Sequence, residues 1–218
     1  APGRLSAIRY TLSAVLDPLS AAFPPRLARH THLPLQSGSD TILRRMHRRY
    51  RPWHYAERLA SIRALLSDAA IGADVMIGFP GETDALFQES CDFIAAQPFT
   101  YLHLFPFSAR PGTPAWELHR PQPVPPRAVQ ERMAALRVLI AEKFRVFRQQ
   151  FVGRTLSAVT MDAAPDGATD AMSDNFLRLS LTCTSGAPVP GNQLVAAHIT
   201  ALTADGLAGT VAAPPPIQ

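Results

Sequence analysis

Ala73-Asp74-Val75-Met76-Ile77-Gly78-Phe79-Pro80-Gly81-Glu82-Thr83 opens with an apolar run too short for a helix and closes on a Gly-Phe-Pro-Gly turn. Such a run reads as a buried strand. Thr83 is suited to cap the helix that follows, on which Phe87, Ser90, Cys91 and Ile94 share one face. The same alternation extends outward. Upstream, Thr31 to Gln36 reads as a strand ending in Ser37-Gly38-Ser39-Asp40. A helix follows with Ile42, Leu43 and Met46 on one face and Arg44, Arg45, Arg48 and Arg49 on the others. His54 to Leu66 is a second helix, striped by Tyr55, Leu59, Ile62 and Leu66. Further back, Arg4 to Ile8 suits a strand and Leu12 to Ala22 a helix. Downstream, Thr100 to Ser108 is the next strand. Continuous apolar strands alternating with helices predict an α/β unit with a parallel sheet covered by helices. Right-handed crossovers curl such a sheet into part of a barrel.

The Pro-rich stretch from Pro111 to Pro126 marks a boundary. A long helix lies behind it, with Val129, Met133, Leu136, Ile140, Phe144, Phe147 and Phe151 recurring every three or four residues. From Gly153 the texture changes to short β-type runs: Arg154–Met161, Asn175–Leu181, Gln193–Thr200 and Leu207–Val211. Asp-Gly and Gly-Asn turn signals separate them, as in a small antiparallel β-barrel. The predicted organisation is 1–150 for the α/β unit with its trailing helix, 151–212 for the small barrel and 213–218 for a frayed tail. No internal repeat is visible.

Of 218 residues, 47% are hydrophobic, which supplies a packed core. No apolar run approaches the length of a membrane span. Ala1-Pro2-Gly3-Arg4-Leu5 lacks an initiator Met and a signal-type apolar stretch, as a piece of a longer chain would. Net charge is +4 with a pI near 9.6, and the basic excess is Arg, whose fork matches phosphate. This favours a polyanionic partner. Cys91 and Cys183 sit in no CxxC pattern and are too few for an iron–sulfur cluster. They read as two reduced thiols of a cytoplasmic protein, and no metal-ligand set is assigned within the chain.

Three segments stand where barrel chemistry is found, at strand C-termini. Leu33-Pro34-Leu35-Gln36-Ser37-Gly38-Ser39-Asp40 places an amide and two hydroxyls at the mouth, suited to a ribose or an amino-acid group; it also reads as an ordinary turn and helix cap. The glycines of the Asp74-to-Thr83 segment let the backbone approach a flat ligand, or simply make a tight turn. In Leu102-His103-Leu104-Phe105-Pro106-Phe107-Ser108-Ala109-Arg110-Pro111-Gly112-Thr113-Pro114, one strand presents a stacking face, a hydroxyl and a charge, or two core phenylalanines.

Together with Arg44-Arg45-Met46-His47-Arg48-Arg49-Tyr50, the order and spacing of these segments resemble the methylthiotransferase branch of the radical-SAM superfamily. The likeness runs from about Arg4 to Val211. LQSGSD, RRMHRRY, DVMIGFPGET and LHLFPFSARPGTPA look closest to the subgroup that methylthiolates threonylcarbamoyladenosine next to the tRNA anticodon. The isopentenyladenosine and ribosomal-protein branches are near relatives. The fold implied is the C-terminal part of a partial (β/α) radical-SAM barrel, followed by a TRAM-like barrel from Phe151-Val152-Gly153-Arg154-Thr155. The chemistry implied is reductive cleavage of S-adenosylmethionine at one [4Fe–4S] cluster. The resulting radical takes hydrogen from C2 of adenine, and sulfur delivered near a second cluster is inserted and methylated. On that mapping Gln36, Ser37 and Asp74 hold S-adenosylmethionine. The Gly78–Gly81 loop lies near its adenine, and Phe105, Ser108 and Arg110 line the mouth.

The family's cluster cysteines and the first third of its barrel have no counterpart here. Where relatives show Ser-Ser-Ile-Glu-Pro, this chain has Ser6-Ala7-Ile8-Arg9-Tyr10, an acid replaced by a base. The chain by itself is therefore expected to be inactive. For the anticodon stem-loop of tRNA two surfaces are expected. One is the Arg44-to-Arg51 cluster, chiefly Arg45, Arg48 and Arg49, interleaved with His47, Tyr50 and Trp53; it also reads as a solvated helix face. The other is the small barrel through Arg154 and Arg178, with affinity that falls steeply with salt. Two other functions fit the residues: a stand-alone RNA-binding module, and a metabolic barrel whose Gly-rich loops take a phosphate. A half-barrel exposes apolar strand edges, so poor solubility is expected.

Overall fold

The computed structural model describes residues 28–163, 167–186 and 189–212. The strand expected at Arg4–Ile8, the helix at Leu12–Ala22, the Ser6–Tyr10 segment and the tail lie outside them.

Three parallel strands form one sheet in the order β1-β2-β3: β1 (His30–His32), β2 (Ala70–Ile77) and β3 (Tyr101–Pro106). Gln36 extends β1 through a bridge to Val75. Between the strands run α1 (Asp40–Arg45), α2 (Pro52–Leu65) and α3 (Asp84–Ala96). Thr83 caps α3 by accepting from Leu86 N, as its position predicts. α1 stops at Arg45, so Arg48 and Arg49 stand beyond its end and not on its faces. His47 adopts φ 53 there, left-handed backbone that an α-helix cannot continue through.

β2 decides the layering. Its side chains alternate, and Ile71, Ala73, Val75 and Ile77 are buried against Tyr55 and Leu59 of α2, Ile94 of α3 and Leu136. Leu136 belongs to α5 (Pro126–Gln149), the long helix expected after the Pro-rich stretch. That stretch also holds α4 (Pro114–His119), which the sequence did not suggest; Thr113 caps it and Pro114 fills the first turn, where a missing N–H costs nothing.

Beyond α5, five strands close a barrel in the order β4-β5-β6-β8-β7. They are β4 (Thr155–Ala163), β5 (Thr169–Ser173), β6 (Arg178–Cys183), β7 (Leu194–Leu202) and β8 (Leu207–Val211). The expectation of an antiparallel barrel is corrected at one seam: β6 pairs with β8 in parallel. Four strands can close with every neighbour antiparallel, but a fifth, β5, makes the number odd and forces one parallel pair. Phe147 and Phe151 join the barrel core together with Leu156, Leu177, Leu181, Ile199 and Leu207. No helix among the described residues is long and apolar enough to cross a membrane.

Candidate functional site on the free face of the sheet

The face of β2 that does not meet the helices carries Gly72, Asp74 and Met76, in register with Tyr101, His103 and Phe105 of β3. His30 and His32 of β1 continue the row. Gly72 matters because the Tyr101 ring occupies the space a Cβ would need. The Tyr101 hydroxyl is thereby set 2.8 Å from His30 Nε2 and 3.1 Å from His32 Nδ1. His32 Nε2 lies 3.1 Å from Asp74 Oδ1, and His103 Nδ1 lies 3.5 Å from the same oxygen. Burial, reinforced by His32, lowers the pKa of His30, and burial raises that of Tyr101. Both effects favour neutral partners at this end of the row.

The three motif-bearing loops leave this sheet at the C-terminal ends of its strands. After β1, Gln36 takes left-handed backbone, φ 69, and is pinned to β2: its N–H donates to Asp74 O at 2.7 Å and its carbonyl accepts from Met76 N at 2.9 Å. Ser37 is 1% exposed, and its hydroxyl pairs with that of Ser90 at 3.0 Å. Ser39 donates to Glu89 at 2.7 Å. These two serines therefore knit the loop to α3, as the turn-and-cap reading requires.

After β2, Gly78 N donates to Glu82 Oε2 at 2.8 Å, and Arg132 of α5 donates to the same oxygen at 2.9 Å. Burial pushes the Glu82 carboxyl up, against the opposing pull of these donors. Gly78 and Gly81 both have positive φ, +80 and +75, which explains the residue type. Val129 stands against the first and Arg45 against the second, so the space beside each glycine is filled by the chain itself. Arg45 also donates to Gly81 O at 2.7 Å.

After β3, Phe107 packs edge-on against Phe79, with ring centroids 5.3 Å apart. Phe105 is 49% exposed on the free face, and Ser108 and Arg110 are exposed in the loop. Gln36, Asp74, Phe105, Ser108 and Arg110 thus present an amide, a carboxylate, a ring face, a hydroxyl and a cation. Cys91 packs beside the sheet core, where burial pushes its thiol up to about 11, and Cys183 is on β6 of the barrel. Two thiols so placed do not fit an iron–sulfur cluster.

Of the expected RNA-contacting arginines, Arg48 and Arg49 are exposed, whereas Arg45 is tied to Gly81. Arg154 reaches Asp68 at 3.3 Å and lies over the Phe151 ring. Arg178 is exposed, 3.6 Å from Asp205. The sequence reading missed His32, His103, Tyr101 and Arg132. Period-two alternation along β3 was the available signal for His103.

No protein-family model matches the chain. Curated relatives do. A tRNA-2-methylthio-N(6)-dimethylallyladenosine synthase of Thermus thermophilus is 37% identical over 169 residues, 77% of this chain and 36% of the relative. The synthase of the same name from Cereibacter sphaeroides is 35% identical over 94% of this chain and 47% of its own length. A threonylcarbamoyladenosine tRNA methylthiotransferase of Bacillus subtilis is 33% identical over 71% of this chain and 35% of its own length. The chain spans between about a third and a half of the curated relatives it matches. With likeness of this extent, the chain belongs to the radical-SAM methylthiotransferase family.

Proposed function

We propose that this chain is part of a cytoplasmic tRNA methylthiotransferase that places a methylthio group at C2 of threonylcarbamoyladenosine next to the anticodon. The observation that carries this is the gathering of three motif-bearing loops at one end of a parallel sheet, in a chain 33–43% identical to tRNA methylthiotransferases. S-adenosylmethionine, when bound, supplies the radical and the methyl group. Gln36, Asp74, Phe105, Ser108 and Arg110 contact it, while Ser37, Gly78 and Gly81 hold the loops in shape. The two [4Fe–4S] clusters draw their ligands from outside this chain.

Residues 1–150 form the C-terminal portion of the catalytic barrel and residues 151–212 a TRAM-like barrel that grips tRNA. A closed five-stranded barrel is a platform that other folds use for single-stranded nucleic acid. Arg48 and Arg49 offer the more open phosphate contacts, supported by Arg154 and Arg178.

A second nucleoside is favoured by a separate observation. Identities to the dimethylallyladenosine synthases reach 43%, against 33–34% for the threonylcarbamoyladenosine enzymes. The segments LQSGSD and LHLFPFSARPGTPA support the threonylcarbamoyl reading. The test is to load the complete gene product with iron and sulfide under anaerobic conditions and supply S-adenosylmethionine and a reductant. It is then given tRNAs carrying either modified adenosine, and their nucleosides are analysed by mass. A methylthio product from the threonylcarbamoyl tRNA alone supports the proposal. Product from the dimethylallyl tRNA selects the second nucleoside, and none from either, with tRNA still bound, leaves an RNA-binding module.

A further inference from the structure

The free face of the sheet carries a donor set of its own. His32, Asp74 and His103 come from three neighbouring strands, and one donor atom of each lies within 4.8 Å of the others. The register places Asp74 directly opposite His103. Two of the separations, 3.1 Å from His32 Nε2 and 3.5 Å from His103 Nδ1 to Asp74 Oδ1, bracket what a metal ion needs. Donors each about 2.0–2.2 Å from a four-coordinate ion stand roughly 3.4 Å apart. A rigid parallel sheet supplies this geometry without ordering any loop.

The outer shell is also in place. A ligating histidine ordinarily fixes its ring through its other nitrogen. Here His32 Nδ1 faces the Tyr101 hydroxyl, which in turn faces His30 Nε2. If His32 donates from Nδ1 to Tyr101 and Tyr101 donates to His30, the lone pair of His32 Nε2 points at the Asp74 carboxylate. Two acceptors then face each other at 3.1 Å, an arrangement relieved by a proton on His32 Nε2 or by a metal ion between them. If the hydrogen bonds run the other way, His32 donates to Asp74 and no ion is required. These two directions make different, measurable predictions.

We propose that His32, Asp74 and His103 form a binding site for a divalent transition-metal ion, with Tyr101 and His30 orienting the ligand His32. Two imidazoles and one carboxylate suit zinc, iron(II), cobalt(II) or nickel(II), and not magnesium or calcium, which take oxygen-rich shells. The His103 side chain is 57% exposed, so the ion keeps open positions toward the free face beside Met76 and Phe105. A water or a polar substrate group can fill them. The site uses the Asp74 carboxylate that the proposed function gives to S-adenosylmethionine, so the two assignments compete for one group; metal binding tests this one and nucleoside analysis the other.

The test uses the tag-free complete gene product with its iron–sulfur clusters loaded, so that neither added histidines nor empty cluster thiolates compete. Zinc is titrated calorimetrically into wild type, Asp74→Asn and His103→Ala, with magnesium as the control. The expected result is one zinc site per chain that both variants weaken at least tenfold, and no magnesium binding. Tyr101→Phe weakens it about tenfold, the scale of an outer-shell loss. A measurement without variants keeps the idea testable if these fold poorly. Zinc protects His32 and His103 of the unaltered protein from acylation by diethyl pyrocarbonate, read by mass mapping, but leaves the exposed His47 and His54 open. Equal zinc affinity in wild type and variants, or no selective protection, overturns the proposal in favour of the closed hydrogen-bond network.

Discussion

The Glu82 side chain is 2% exposed, and the charge opposite it, Arg132, is 8% exposed. Arg132 spends its other contacts on Glu82 O at 3.0 Å, Asp84 at 2.7 Å and the face of Phe87 at 5.4 Å. One arginine from α5 thus ties down the turn after β2 and the first turn of α3. Without it, Glu82 keeps only the Gly78 amide. Arg132→Met should therefore cost about 3–5 kcal/mol, the scale of leaving one buried charge without its partner. Urea unfolding measures this. Adding Glu82→Gln to that variant should restore part of the loss, because no charge is then left buried. A single-variant loss below about 1 kcal/mol would show that water reaches Glu82 and that the pair is a surface bridge.

At the scale of elements, the pairing of β2 with β3 leaves room for Tyr101 only because its partner is a glycine. Tyr101 fills the space over Gly72, so Gly72→Ala must push the ring off its two histidines or spread the strands. A loss of about 1–3 kcal/mol is expected, the usual range for overpacking. Histidine ring resonances of His30 and His32 should shift in the same variant; unshifted rings would mean that Tyr101 is not their organiser. What the sequence made legible follows element by element from pattern strength. β2, α3 and α5 carry long apolar runs or stripes, and the structure has each within a few residues of its expected place. β5, Thr-Asp-Ala-Met-Ser, is short and half polar, because only Thr169, Ala171 and Ser173 face the barrel interior. The parallel β6–β8 seam pairs strands that are not neighbours in the chain, which no local pattern encodes. The candidate site divides the same way. Its loops announce themselves as glycine-rich turns after strands. The convergence of His32, Asp74 and His103 exists only once three strands lie side by side.

Across the whole molecule, the sheet and the barrel meet along two different kinds of contact. One is apolar: α5, whose 24 residues extend about 36 Å, gives Leu136 to the sheet core and Phe147 to the barrel core, with Phe151 just past its end. Its Arg148 donates to the carbonyls of Thr203 and Gly206 at 3.1 and 3.0 Å, fastening the turn between β7 and β8 to the helix. The other contact is polar and centred on Asp68, whose carboxylate accepts from Arg29 at 2.6 Å and from Arg154 at 3.3 Å. The backbone carbonyl of Asp68 takes Asn175 Nδ2 at 3.4 Å, and beside it His30 stacks on Phe176, with ring centroids 4.4 Å apart. Magnitudes rank the two. Truncating a buried phenylalanine costs about 3–5 kcal/mol. Arg29 and Arg154 are 40% and 49% exposed, so each pair with Asp68 is worth about 1 kcal/mol or less. Asp68→Ala should accordingly lower the urea midpoint by an amount worth about 1–2 kcal/mol, with the slope of the transition unchanged and sheet and barrel still unfolding together. Phe151→Ala should cost about 3–5 kcal/mol and separate the two unfolding steps, seen as non-coincident fluorescence and far-ultraviolet dichroism curves. If instead Asp68→Ala splits the transition and Phe151→Ala does not, the polar seam couples the two parts and the helix is only their tether. The free face would then be held in place relative to the barrel by charges that salt can loosen, and its alignment would depend on ionic strength.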